Sequence, residues 1–249
     1  MGRTVDTQVK QCKHDKRDNS DHKSQGLNIQ HNLSVQGMRA PYSLTMARVL
    51  LTGFEPFNGA AVNPSWDAVE LVASTWQHSA DLVIRRLPVT FGSGGRRLME
   101  HVVMHTPDVV VAVGVAEGRA QVTPERVAIN LRDASYPDNV GRQPVGAASI
   151  AGAPAAYFST LPVTRIVDDL RQAKIPAAVS LTAGSFVCND AFFALQHALV
   201  GLGVASGFIR VPATPQMDLG PDVPTMPLAE IARALRIAIE TSLTFGKHA

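Results

Sequence analysis

Ser180-Leu181-Thr182-Ala183-Gly184-Ser185-Phe186-Val187-Cys188-Asn189-Asp190 is the stretch from which the rest of the chain is read. An apolar run, Ala177 to Leu181, has the character of a strand; it breaks into a turn of small residues, and a helical pattern begins near Cys188. Strand, tight turn and helix in that order form the repeating unit of a sheet covered by helices. A cysteine where such a turn meets a helix N-terminus lies in the positive end of the macrodipole, which favours the thiolate, the nucleophilic form. Placement alone also allows Cys188 to be a small buried core residue.

The same alternation runs outward in both directions. Strand-like runs lie at Arg48–Thr52, Leu82–Pro88, Val109–Val115, Arg126–Leu131 and Gly207–Val211, and helical patterns at Pro64–Ser74, Gly95–His105, Leu161–Ala173, Asn189–Val200 and Leu228–Leu243. Asn63-Pro64 marks a helix start, with Asn as N-cap and Pro at the first helical position. Alternation of this kind predicts an α/β fold with helices on both faces of the sheet. Asp133–Tyr157 and Pro212–Met226 are left as long loops, a length that usually marks a functional or mobile segment.

Composition narrows the class. With 249 residues, 45% hydrophobic and 18% charged, the chain holds enough apolar material for one domain with a full core. The formal charge of +2 is concentrated in residues 1–45, where seven Lys/Arg against four Asp give +3, leaving the remainder near −1. No basic face argues for nucleic acid, and no run of about 18 apolar residues argues for a membrane span. The two cysteines, Cys12 and Cys188, make no disulfide framework and suit a reducing cytosol. Residues 1–45 are polar, without apolar periodicity or a signal-peptide core, and read as a disordered tail. Met46, directly before the first strand, is an alternative translation start, which makes 46–249 the folded domain.

Further segments have the density of special residues that a site requires. Thr52-Gly53-Phe54-Glu55-Pro56-Phe57 follows the first strand and leads to Val62-Asn63-Pro64-Ser65-Trp66. Gly118 to Asn130 contains Thr-Pro-Glu-Arg-Val-Ala-Ile-Asn, in which Glu125 beside an apolar run is either a satisfied buried acid or the orienting member of a catalytic set. Asp133-Ala134-Ser135-Tyr136-Pro137-Asp138 opens the first long loop. The glycine-rich Phe91-Gly92-Ser93-Gly94-Gly95 lacks the Gly-Lys-Ser/Thr ending of a phosphate loop and reads as the lead-in to a helix.

Together with Ala-Ala-Tyr-Phe-Ser-Thr-Leu-Pro, Thr-Ala-Gly-Ser-Phe-Val-Cys-Asn and Gly-Phe-Ile-Arg-Val-Pro, these segments resemble the type I pyroglutamyl peptidases (pyrrolidone carboxyl peptidases), a family of cysteine peptidases. The resemblance runs from about Ala47 to the C-terminal helix. It implies a three-layer α/β/α sandwich around a mixed sheet, a cytoplasmic homotetramer, and removal of an N-terminal pyroglutamyl residue from peptides without metal or cofactor. By the same resemblance Cys188 matches the nucleophile and Glu125 the acid, while Phe54, Phe57, Asn63, Phe186 and Val187 match the positions that hold the lactam ring. Aromatic walls with an amide partner suit a flat, uncharged ring.

The chain departs from the family at the third member of the catalytic set, where the usual histidine is Arg210. Histidine takes the thiol proton and returns it to the leaving amine; arginine holds its proton throughout and cannot shuttle it. No other histidine is placed to replace it. His197 sits in an apolar helical run, His101 and His105 form an i, i+4 pair that reads as surface, and His248 stands at the C-terminus. Ser135 stands where the family usually has Arg, Tyr136 where it has an aliphatic residue, and Val115 and Glu117 where it has Gln and Gly. Three readings follow: a pyroglutamyl peptidase with altered proton transfer, an impaired relative that keeps the pocket and binds peptides or a partner, and a thiol hydrolase for another acyl group.

Overall fold

Strands buried on both faces read as continuous apolar runs, and the central strands here do so. In the computed structural model, which describes residues 46–245, β1 (Arg48–Phe54) and β3 (Val109–Val115) are buried almost throughout. The expected tail, Cys12 and His248 lie outside the described residues. With β2 (Asp81–Leu87), β7 (Ala205–Val211) and the two-residue β4 (Thr123–Pro124), β1 and β3 form one sheet of order β2-β1-β3-β7-β4. The first four strands are parallel, and β4 runs antiparallel to β7, so the sheet is mixed. A small second sheet pairs β5 (Val127–Ile129) with β6 (Ala156–Phe158).

Helices α1 (Pro64–Ser74), α3 (Val163–Gln172) and α5 (Leu228–Phe245) cover one face; α2 (Ser93–His105) and α4 (Val187–Leu199) cover the other. Each layer has its own apolar core: Leu51, Val111, Ile166 and Leu235 meet on the first side, Leu50, Val110, Leu98 and Phe192 on the second. Burying each such side chain is worth roughly 1.5–3 kcal/mol. The architecture is the expected three-layer α/β/α sandwich in a single domain.

The helices begin and end within two residues of the positions expected from periodicity, and α1 does so at both ends, with Asn63 as its N-cap and Pro64 in the first turn. Two strand expectations fail. Ala177–Leu181 is no strand; it makes only isolated parallel bridges, Val122↔Ala177 and Glu125↔Ser180. Val122 N–H donates to Pro176 O, Ala178 N–H to Val122 O, Ser180 N–H to Pro124 O and Arg126 N–H to Ser180 O. The bond missing from that parallel ladder is the one Pro124 would donate, and proline has no N–H. Arg126–Leu131 is likewise shortened to β5, which leaves the main sheet after Glu125 to pair with β6.

The long loop from Asp133 is held firmly. Arg132 and Ala147 exchange both backbone hydrogen bonds, at 2.6 and 3.0 Å. The buried Asp138 carboxylate accepts from the N–H groups of Phe91, Val140 and Arg142. The second loop contains a 3₁₀ turn, Pro215–Met217, and is tied by an Ala213↔Thr225 bridge. Among the described residues no helix is long and apolar enough to cross a membrane.

Candidate active site

Phe186, in extended conformation, is the N-cap of α4, so Cys188 falls in the helix's first turn, where backbone N–H groups have no intrahelical partner. No side chain caps this end. Opposite it, β3 carries glycine: a Cβ on Gly114 would lie 2.8 Å from Cys188 Sγ and 2.9 Å from the Phe208 ring. That missing side chain is what admits the thiol against the sheet. The result is a cavity of about 330 Å³ that Cys188, Gly114, Phe54, Phe57, Asn63 and Arg210 help to line. Phe186 and Val187 line it too, so seven of the eight residues singled out from the sequence converge there. A larger and more open hollow of about 570 Å³ lies between α3 and α5 and contains none of them.

The eighth, Glu125, stands behind the wall. It sits where the chain leaves β4, with its backbone N–H on Phe208 O, and is 0% exposed. Its Oε1 accepts from Arg119 at 2.9 Å, while Oε2 is buried with no partner among the described residues. Burial pushes the Glu125 carboxyl up; the Ser180 hydroxyl, Arg119 and Arg210 pull against that shift. Arg119 also donates to Thr123 Oγ1 at 2.6 Å and Thr182 O at 3.1 Å, bridging the buried acid to the cavity it lines.

Arg210 on β7 is paired with Gly114 on one side and Thr123 on the other, and residues paired across a sheet project to the same face. Its two terminal nitrogens donate to Val115 O and Ala183 O, its guanidinium carbon lies 5.9 Å from the Phe208 ring centroid, and its Nε is buried without a partner among the described residues. Arg210 is therefore fastened to the backbone beside the cysteine, while the carboxylate of Glu125 is held by Arg119. Burial pushes the Cys188 thiol up, Arg210 pulls it partway back, and Glu125 adds to the rise. Desolvation thus works against the thiolate that the helix terminus favours.

The walls are aromatic. Phe57 and Tyr136 stack with centroids 6.4 Å apart at 16°, Tyr136 and Phe186 lie 4.7 Å apart, and Phe91 meets Phe186 edge-on at 5.2 Å. Asn63 spends its oxygen on the Ser65 N–H and hydroxyl, and donates one amide hydrogen to Glu55 O, leaving its second N–H for the cavity. Asn189 and Asp190, which follow the cysteine, hold the frame. The Asn189 amide bonds to Ile129 N–H, Ile129 O and Leu131 O; Asp190 accepts from Arg132 at 2.6 Å and Gly92 N–H at 2.7 Å. Gly92, at φ +72°, is the N-cap of α2, so the glycine-rich segment is a helix lead-in as its sequence indicated.

None of the described histidines lines the cavity. His197 Nδ1 lies 2.7 Å from Tyr157 OH, a structural contact, and His105 Nε2 lies 3.0 Å from Arg85 with both His101 and His105 half-buried. Among the described residues there is no group of three side chains able to hold a metal. Tyr136, Arg119 and Glu117 line the cavity without having been singled out as site residues. Tyr136 and Glu117 stood out in the sequence only as departures from the family pattern, and Arg119 reaches Glu125 through a turn that leaves no periodic trace.

Residues 47–244 match the family model described as Pyroglutamyl peptidase. The chain is 50% identical over 201 residues to pyrrolidone-carboxylate peptidase 1 of Ralstonia nicotianae, covering 80% of this chain and 94% of that one. It is 46% identical to the pyrrolidone-carboxylate peptidase of Thermococcus onnurineus, covering 79% of this chain and 98% of the relative. Among solved structures, pyroglutamyl peptidase I of Bacillus amyloliquefaciens superposes with a TM-score of 0.77 at 44% identity, over 80% of this chain and 98% of that one. A mutant pyrrolidone carboxyl peptidase of Pyrococcus furiosus gives 0.76 at 36% identity, with 80% and 99% covered.

Proposed function

The chain belongs to the pyroglutamyl peptidase family, an omega-peptidase family, and from that premise we propose that it cleaves N-terminal pyroglutamyl residues from peptides at the cavity around Cys188. The observation that carries this reading is the placement of the Cys188 thiol at an uncapped helix N-terminus on the floor of an aromatic-walled cavity sized for a small flat ring. Tyr136, Phe57 and Phe186 clasp the lactam, and the spare Asn63 N–H meets one of its polar edges. Cys188 Sγ attacks the pyroglutamyl carbonyl, and the unpartnered N–H groups at the start of α4 receive the oxyanion. A thioester forms as the amine departs; water then releases pyroglutamate and restores the thiol.

Proton transfer is the slow element. Arg210 steadies negative charge at sulfur but neither accepts the thiol proton nor returns it to the amine. Glu125 is ion-paired with Arg119, feels Arg210 only through space and, with its carboxyl pushed up by burial, holds its own proton more readily than an ordinary carboxyl. Loss of one member of such a set commonly costs about 10³-fold or more in rate. The test is hydrolysis of a fluorogenic pyroglutamyl amide by the native protein and by Arg210→His. The expected outcome is slow native turnover and a gain of at least about 10³-fold in kcat for the variant. Native turnover matching the variant would show that the proton passes elsewhere.

A second reading is favoured by one observation: the guanidinium of Arg210 is fastened by two carbonyls, so the site is built around a residue that transfers no proton. On that reading the protein keeps the pocket for binding, or takes another acyl group, and both forms stay silent toward the pyroglutamyl amide. The setting we propose is the cytosol, and the assembly a homotetramer. Exposed Val103 and Met104 at the end of α2, with Val200 and Leu202 just beyond α4, support association of copies; light scattering after gel filtration checks it.

A further inference from the structure

We propose that Arg210 makes the inner end of the cavity a carboxylate site, so that the protein binds free pyroglutamate in preference to the uncharged pyroglutamyl amide. The inference rests on the pyroglutamyl reading of the cavity and adds to it the ionic form of the favoured ligand.

The argument starts from charge. Arg210 makes no ion pair among the described residues; the other arginines around the cavity and its frame, Arg119 and Arg132, are paired with Glu125 and Asp190. A guanidinium has five N–H donors, and the backbone carbonyls of Val115 and Ala183 take two. Three remain, of which Nε–H is buried and unpartnered. A half-buried cation with spare donors and no counter-ion is stabilised by any anion that reaches it. Among the described residues no carboxylate bonds to it. Glu125 feels Arg210 through space but gives its hydrogen bond to Arg119, Glu117 is exposed at the rim, and desolvation pushes the Cys188 thiol up, away from the anionic form.

Position then selects the ligand. Arg210 is the cross-strand partner of Gly114, and the space that Gly114 leaves open is where Cys188 Sγ sits. Whatever carbon is presented to the sulfur is therefore presented to the arginine as well. In a peptide that carbon belongs to a neutral amide. In the free acid it is a carboxylate, and the lactam ring between the aromatic walls is the same in both. Only the acid supplies the missing charge. A histidine at this position, mostly neutral at pH 7, would not draw that distinction. Charge-assisted hydrogen bonds of this kind correspond to roughly ten- to a hundredfold in affinity. The product of the proposed reaction is then also its inhibitor, and turnover depends on a following reaction that removes free pyroglutamate.

Titration calorimetry of the full chain at pH 7.5 with L-pyroglutamate and with L-pyroglutamamide tests this. The expected result is at least about tenfold tighter binding of the acid by the native protein, a preference retained by Arg210→Lys and lost in Arg210→His and Arg210→Gln. Equal binding of acid and amide by the native protein, or a preference for the amide, overturns the carboxylate site and leaves the pyroglutamyl pocket standing. Absence of binding by either compound, in the native protein and in Arg210→His, removes the pocket reading itself. The native comparison decides the matter even if a variant fails to fold.

Discussion

At the residue scale, the chemistry of this site turns on two titrating groups and the arginine between them. Cys188 is a half-buried thiol whose pKa is raised first by desolvation and lowered by Arg210. Alkylation by iodoacetamide is therefore expected to be slow at neutral pH and to climb above the ordinary thiol range; Arg210→Gln moves the rise to still higher pH. A pH–rate profile for the two proteins checks this, and a fast neutral-pH reaction in the native chain would refute it. Glu125 gives a second expectation. Its folded pKa is raised, so its contribution to stability is complete below the unfolded value and is lost as pH climbs through the folded one. Glu125→Gln imitates the protonated acid. Its melting temperature relative to the native protein should accordingly become more favourable from pH 4 to pH 8, and a difference that is flat or falls with pH would count against the shift.

At the element scale, three pieces of the chain meet at Asp190: the first turn of α4, the N-cap of α2, and Arg132 just after β5. Breaking a buried pair by removing one partner leaves the other charge uncompensated, at about 3–5 kcal/mol. Asp190→Ala is expected to lose about that much in denaturant unfolding, whereas Asp190→Asn keeps the acceptor for Gly92 N–H and loses less. Asn63→Ala, which removes the α1 cap, should cost about 1 kcal/mol and also weaken ligand binding, because the same amide faces the cavity. Helix and cap signals are local, and α1 was legible to its last residue for that reason. The segment Ala177–Leu181 was not: its alternation is that of a strand, yet its neighbour in space carries Pro124, and the donor that would complete the ladder is absent.

At the scale of the whole molecule, two apolar cores on either side of one sheet hold the site residues at the ends of β1, β3, β7 and α4. The family match spans 47–244 and covers 94% of the Ralstonia nicotianae relative. A chain begun at Met46 is expected to melt within about 2 °C of the full chain and to bind pyroglutamate equally; a larger fall would show that residues 1–45 contribute to the fold.

The sequence by itself determined the alternation of strands and helices, the helix bounds and the cysteine at the start of α4, because periodicity, caps and motif order are written along the chain. Tertiary structure alone decided what those residues face. Arg119 reaches Glu125 through space and leaves Arg210 without a carboxylate; Tyr136 comes from a distant loop to close the aromatic wall; Gly114 opens the room that Cys188 occupies. Burial is a property of the assembled fold, and burial is what opposes the thiolate that the helix terminus favours.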